Sequence, residues 1–216
     1  MLPINEYIEH TNLKPFITDR HVDSLVAEAG KYKFRGVCVP PFWVKRAKRE
    51  IGKENIRLIT VAGFPFGYNM TETKLEEIKL AIADGAQEID VVVNISALKM
   101  DMDWVKIDLA KCSKLIHDNG CMLKVIIEVA YLTDSEIVKA CQIAESAGAD
   151  FLKTSSGFAT QGALEHKISL MKKSLSKNVG VMACGGIRTY DQVMDVIDAG
   201  AVLIGTSSGV DIMKEL

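Results

Sequence analysis

Short apolar runs alternate with longer amphipathic stretches along the whole chain. Residues 36–40, 56–62, 88–94, 122–128, 150–155, 179–184 and 201–205 are apolar and largely β-branched, the pattern of buried strands. Residues 88–94 are the clearest of these. A weaker run at 7–11 supplies an eighth candidate. Between the runs, residues 18–32, 71–84, 103–119 and 133–147 carry apolar positions at helical spacing; Leu75, Ile78, Ala81 and Ile82 form one such stripe. Thr18-Asp19 reads as a cap with an acidic first turn, and Thr133-x-x-Glu136 fits a capping box. Gly85, Gly120, Gly148 and Gly200 each stand where a helix should stop. Three of them recur in one phrase before a strand: Asp84-Gly85-Ala86, Ala147-Gly148-Ala149 and Ala199-Gly200-Ala201.

Strands without strict alternation belong to a parallel sheet covered by helices on both faces. Eight of them with intervening helices predict an α/β fold, a single-domain (β/α)8 TIM barrel over residues 1–216. The chain is shorter than the roughly 250 residues usual for that fold, so its loops must be short. An open doubly wound sheet needs a glycine-rich turn after its first strand, and Cys38-Val39-Pro40-Pro41-Phe42 offers none.

Composition narrows the function classes. There are 26 Lys and Arg against 28 Asp and Glu, a formal charge of -2, so neither a nucleic-acid partner nor an electrostatic membrane anchor is expected. No apolar run approaches the roughly 20 residues of a membrane helix. The first residues, Met1 to Glu6, have neither a basic region nor an apolar stretch, so no signal peptide is expected. The five cysteines, Cys38, Cys112, Cys121, Cys141 and Cys184, are odd in number and lack a C-x-x-C spacing, which suits a reduced, cytoplasmic setting. His10, His21, His117 and His166 show no metal-ligand spacing and read as solvated helix or loop residues.

The informative anomaly is charge inside apolar runs. Asp90 lies between Ile89 and Val91, Lys124 between Leu123 and Val125, and Lys153 between Leu152 and Thr154. They fall on the fourth, fifth and sixth candidate strands, neighbours around a barrel. A strand lysine can face outward and snorkel to solvent, and a buried ion pair can be purely structural. If all three point inward, they form a buried cluster with a chemical use. A lysine attacks a carbonyl only as the neutral amine, and burial or a second ammonium lowers its pKa. Lys124 is then expected to prepare Lys153 as a Schiff-base nucleophile, with Asp90 shuttling protons.

Two glycine-rich turns follow the last strands: Gly185-Gly186-Ile187-Arg188-Thr189 and Gly205-Thr206-Ser207-Ser208-Gly209. Barrel enzymes often bind phosphate there, through backbone N–H groups at a helix N-terminus. Thr154-Ser155-Ser156-Gly157 adds a third small polar turn.

With these residues in view, the sequence resembles the deoxyribose-phosphate aldolase family. The resemblance is carried by His10-Thr11-Asn12-Leu13-Lys14-Pro15, Val37-Cys38-Val39-Pro40, Gly63-Phe64-Pro65-Phe66-Gly67, residues 88–94, Lys124-Val125-Ile126-Ile127-Glu128, residues 148–158 and the two late glycine turns. It implies a metal-independent class I aldolase without cofactor. Such an enzyme cleaves 2-deoxyribose 5-phosphate reversibly to acetaldehyde and glyceraldehyde 3-phosphate in deoxyribonucleotide catabolism. By resemblance, Lys153 matches the Schiff-base lysine, Asp90 the proton-relay aspartate, and Lys124 a lysine of the same cluster. Gly157, Gly185, Gly186, Gly205, Ser207 and Ser208 match positions around the substrate phosphate. Thr11 and Cys38 match residues near the site. A homodimer is the assembly the resemblance leaves open.

Two departures matter. The family usually carries a second catalytic lysine where this chain has Met182, in Val181-Met182-Ala183-Cys184-Gly185-Gly186. The aspartate that partners that lysine is replaced by Glu9 or displaced. Loss of the neighbouring ammonium removes a repulsion that would lower the Lys153 pKa, while Met182 dries the pocket. The alternatives are therefore a related phospho-sugar aldolase or lyase with altered or weak activity, or a lapsed barrel that only binds a phosphometabolite.

Overall fold

The computed structural model describes residues 3–160 and 162–216; Met1 and Leu2, part of the segment read as lacking a signal peptide, lie outside them. Strands and helices alternate as β1 (Ile8–Thr11), α1 (Asp19–Tyr32), β2 (Gly36–Cys38), α2 (Val44–Ile51), β3 (Arg57–Ala62), α3 (Thr71–Ala83), β4 (Glu88–Val92) and α4 (Ile95–Lys99). They continue as α5 (Trp104–Asp118), β5 (Met122–Ile126), α6 (Asp134–Ser146), β6 (Phe151–Lys153), α7 (Glu165–Ser174), β7 (Gly180–Cys184), α8 (Tyr190–Asp198), β8 (Leu203–Thr206) and α9 (Gly209–Lys214). The eight strands are parallel and close in chain order, because β1 pairs with both β2 and β8. The expected barrel is thus the observed one, and the open sheet is excluded.

Two apolar layers explain why the strands read as nearly unbroken hydrophobic runs. Ile89, Val91, Leu123, Val125, Leu152, Val181, Ala183 and Ile204 belong to the main core between barrel and helices. Burying each such aliphatic side chain contributes about 1.5–3 kcal/mol. The alternate residues turn inward. There, Cys38, Ile59 and Val61 form one apolar wall, and Met182, Cys184 and Leu203, with Phe151 against them, form another. The inner packing leaves no room at Gly205, where a Cβ would lie 2.2 Å from the Cys184 Sγ and 2.9 Å from the Met182 Cε.

The local signals hold at helix ends. Thr133 Oγ1 accepts the Glu136 N–H at 3.4 Å while the Glu136 carboxylate accepts the Thr133 N–H at 2.8 Å, closing the capping box. Gly85, Gly120, Gly148 and Gly200 all have positive φ, between 69° and 112°, where a side chain would be strained.

Other positions differ from the pattern. Helices α2, α4, α7, α8 and α9 are additional to the four amphipathic stripes, α8 and α9 following the two late glycine turns; α4 is a single short segment, and α7 buries Lys167 beside Ile168 and Met171. The buried face of α3 takes Ile78 and Ala81 from the expected stripe and adds Thr71 and Lys74, while Leu75 and Ile82 are half-buried against the core. His10 is not solvated: strand alternation sends Glu9 inward and His10 outward under α1, where its Nε2 lies 2.7 Å from Glu28 and its ring 5.2 Å from that of Phe34. All five cysteines are free, and among the described residues no helix is long and apolar enough to cross a membrane.

Lys74 explains the added polar part of the α3 face. Its ammonium donates to the Val92 carbonyl at 2.9 Å and to Asp108 of α5 at 2.8 Å, with both side chains fully buried. It fastens α3 and α5 to the end of β4, two residues beyond Asp90. Breaking a buried pair on one side leaves an uncompensated charge. Lys74→Met is expected to destabilise the protein by about 3–5 kcal/mol, roughly a 10 °C fall in Tm. Lys74→Met combined with Asp108→Leu should recover much of that loss in thermal denaturation; a double variant no more stable than the single one would contradict this.

Candidate active site

The in-register pairing of β4 with β5 sets Asp90 beside Lys124, and Lys153 lies one inward position further along β6, opposite Ile126. All three point into the barrel. The Lys153 Nζ donates to Asp90 Oδ2 at 2.7 Å, and the Lys124 Nζ lies 3.2 Å from Asp90 Oδ1. Neither an outward, snorkelling lysine nor an isolated pair describes them. The Lys124 ammonium also meets Glu9 Oε2 at 3.1 Å and Glu88 Oε2 at 2.6 Å. Arg35, just before β2, closes the cluster from the other end, 2.5 Å from Glu9 and 2.6 Å from Glu88. Glu9, Glu88, Asp90 and Lys124 are inaccessible to solvent, and Lys153 is 2% exposed.

Charge pairing sets the ionisation. Burial alone would raise the Asp90 pKa, but the Lys124 and Lys153 ammonium groups hold it below the usual carboxylate range. Burial disfavours the Lys153 ammonium too, yet the adjacent Asp90 carboxylate holds its pKa well above the ordinary lysine value. The sequence expectation of a depressed amine is therefore corrected. Lys124 does not repel Lys153 into neutrality, because Asp90 sits between them and Glu9 and Glu88 surround Lys124. In the resting site Lys153 is protonated, and its proton has an acceptor 2.7 Å away. Glu9 is pushed up by burial, against the pull of Lys124, and further up by Glu88 and Asp90.

Above Lys153 a cavity of about 530 Å³ opens at the C-terminal ends of the strands. Its wall takes Thr11, Lys153, Cys184 and Thr206 from the last positions of β1, β6, β7 and β8. That is the face on which barrel enzymes place their chemistry. Gly157, Gly185, Gly186, Gly205 and Ser207 all line it, as the sequence suggests. Gly157, Gly185 and Gly186 have φ between 79° and 94°, so their turns need glycine, and the N–H groups of Gly157, Gly186 and Ser207 carry no hydrogen bond among the described residues. Ser208 does not line the cavity; its N–H donates to Thr206 Oγ1 at 2.9 Å and it precedes α9. The lining holds three cations, Lys14, Lys153 and Arg188, and no carboxylate among the described residues. Lys14 and Arg188 went unmarked in the sequence because a single charged residue in a polar turn carries no pattern.

The remaining sequence candidates lie beneath this floor. Met182 is fully buried on β7, paired in register with Lys153. Cys38 is fully buried in the opposite wall, and burial pushes its thiol pKa up, so it is a small apolar filler in the resting site. Asp90, Lys124 and Glu9 do not line the cavity; Lys153, in contact with Asp90, does.

Glu128 is a residue whose role the sequence did not reveal. It lies beyond β5 in a left-handed backbone conformation, φ 48°, and is buried. Its Oε2 accepts the Ser156 N–H at 3.0 Å and the Ser156 hydroxyl. Thr154 meanwhile donates to the Cys184 carbonyl at 3.0 Å and accepts the Cys184 N–H at 2.9 Å. These contacts fix the turn after Lys153 against β5 and β7.

Fold and cavity position define the class, a (β/α)8 barrel with its candidate site at the C-terminal face of the strands. The chain belongs to the DeoC/LacD aldolase family, whose family model matches residues 1–215. It is 49% identical over 214 residues to a deoxyribose-phosphate aldolase of Thermococcus kodakarensis, covering 98% of this chain and 96% of that one. Among solved structures, it superimposes on the aldolase QR15 with a TM-score of 0.94 at 38% identity, covering 100% of this chain and 96% of that one. The tetrameric deoxyribose phosphate aldolase of Aeropyrum pernix gives a TM-score of 0.90 at 31% identity, covering 98% and 90%.

The Asp90 contact generates a kinetic expectation. Asp90→Asn removes the proton acceptor while leaving the amine in place, so aldolase turnover should fall by about 10²–10⁴-fold. Steady-state rates within threefold of wild type would show that Asp90 is not the acceptor.

Proposed function

We propose that the protein cleaves 2-deoxyribose 5-phosphate reversibly to acetaldehyde and glyceraldehyde 3-phosphate through an imine at Lys153. The Lys153–Asp90 contact beneath a cavity whose described lining holds no carboxylate carries this reading. A dianionic phosphate suits the end lined by Lys14, Arg188 and the Gly157, Gly185, Gly186, Gly205 and Ser207 turns.

The reaction follows from the pair. Lys153 passes a proton to Asp90 and the free amine adds to C1 of the open-chain aldehyde. Asp90 returns the proton as the carbinolamine loses water, giving the iminium ion. The C3 hydroxyl then loses its proton to the Asp90 carboxylate, and the C2–C3 bond breaks. Glyceraldehyde 3-phosphate leaves, and the electron pair of the broken bond stays on the Lys153 enamine. Protonation at C2 and addition of water release acetaldehyde and the amine. Lys124 stays cationic throughout, because three carboxylates hold its pKa up against the cost of burial. Its role is to keep Asp90 ionised between steps.

Met182 supports a slower variant of the same reaction. An apolar side chain beside Lys153 offers no ammonium to favour the free amine. The same reading assigns the enzyme to the cytoplasm and to deoxyribonucleotide catabolism, as one catalytic domain, and leaves a homodimer open as its assembly.

Two outcomes are expected. Borohydride added with 2-deoxyribose 5-phosphate or acetaldehyde should reduce the imine and add a two-carbon group to Lys153 when acetaldehyde is the trapped carbonyl. An unmodified Lys153 peptide in mass spectrometry would overturn the reading and leave a barrel that only binds phosphate esters. Met182→Lys should raise cleavage near neutral pH and move the onset of activity to lower pH, since a second ammonium favours the neutral amine. An unchanged pH–rate profile would make Met182 irrelevant to the amine.

A further inference from the structure

Arg35 stands at the end of the barrel opposite the cavity, immediately before β2. Its guanidinium holds Glu9 at 2.5 Å and clamps both oxygens of Glu88, at 2.6 and 3.0 Å. Its side chain is 19% exposed, whereas Glu9, Glu88, Asp90 and Lys124 are sealed. The connected cluster therefore contains Arg35, Lys124 and Lys153 against Glu9, Glu88 and Asp90: three cations and three carboxylates. It is neutral when every member is ionised.

Lys124 makes the two ends interdependent. Its single ammonium is shared by Glu9, Glu88 and Asp90. Two of these carboxylates have Arg35 as a second partner; the third has Lys153. We propose that Arg35 is a positioning residue for the reaction: by neutralising Glu9 and Glu88 from the far end, it leaves Lys124 to Asp90 and thereby sets how readily Lys153 gives up its proton. This rests on Lys153 being the reacting amine.

The charged and titratable groups around the cluster are few. They are Glu9 on β1, Cys38 on β2, Glu88 and Asp90 on β4, Lys124 on β5, Lys153 on β6 and Cys184 on β7; Cys121 lies just before β5, and the exposed Arg57 of β3 donates its N–H to the Arg35 carbonyl. Burial pushes the Cys184 thiol up to about 11, and Cys38 also upward, so neither adds charge near neutral pH. Removing the Arg35 cation makes every remaining group hold protons more tightly, and the Lys153 amine appears only at higher pH. Removing the Glu88 carboxylate acts in the opposite direction.

The test is the pH dependence of kcat/KM for 2-deoxyribose 5-phosphate cleavage in wild type, Arg35→Met, Arg35→Lys and Glu88→Gln, with folding checked by circular dichroism. In Arg35→Met the limb that rises with pH should move upward by about half to one pH unit. Arg35→Lys should return it most of the way, and Glu88→Gln should move it downward. A uniform loss of rate with an unmoved limb, or shifts of the same sign in Arg35→Met and Glu88→Gln, would overturn the proposal. Should Arg35→Met fail to fold, the downward shift of Glu88→Gln and the retained limb of Arg35→Lys decide it. Borohydride trapping of wild-type Lys153 separates the two claims: trapping with unmoved limbs overturns the role of Arg35 alone, whereas no trapping overturns the reading of Lys153.

Discussion

Asp90 lies between two ammonium groups in a space that water does not reach. An isolated carboxylate or ammonium there would cost many kcal/mol and would shed its charge. The arrangement persists because each charge has a counterpart within hydrogen-bond distance. The proposed reaction uses the same balance: Lys153 rests as an ammonium ion hydrogen-bonded to Asp90 at 2.7 Å, and transfer of the proton across that bond neutralises both partners at once. Desolvation and pairing thus act in sequence rather than in competition. Pairing keeps the resting site ionised, and in the proposed mechanism the dry surroundings favour the neutral acid–amine pair once a carbonyl compound captures the amine.

The barrel supplies the alignment. Inward positions on β4, β5 and β6 fall on adjacent strands only because the sheet is parallel and in register, and closure brings Glu9 of β1 across to Lys124. Outward positions on the same strands are the aliphatic layer under the helices. One strand therefore serves stability with alternate residues and chemistry with the others. Lys74 and Glu128 brace the ends of β4 and β5 from outside the cluster.

Much of this was legible in the chain. Eight apolar runs separated by amphipathic stretches dictate a parallel barrel, and glycines after the helices mark where each turn reverses. Charges embedded in the middle of those runs, at 90, 124 and 153, pointed to the interior. Glu88 was hidden because it begins its run, where a charge reads as the solvent-facing end of a strand. Arg35 was hidden because it precedes a strand and pairs with residues 26 and 53 positions away. Lys74 sits at a helical position where a lysine ordinarily covers the surface, and His10 was misread because a histidine carries no burial signal of its own. The direction of the Lys153 pKa was missed for a related reason: spacing shows that two lysines are neighbours, but not that a carboxylate stands between them.

The most direct measurement is the ionisation of the Lys153 amine itself, followed by NMR of isotopically labelled lysine side chains across pH in wild type and Asp90→Asn. The account expects the wild-type amine to stay protonated beyond the ordinary lysine value of about 10.4, and to titrate well below that value once the carboxylate is gone. Identical titration of Lys153 in the two proteins would contradict it.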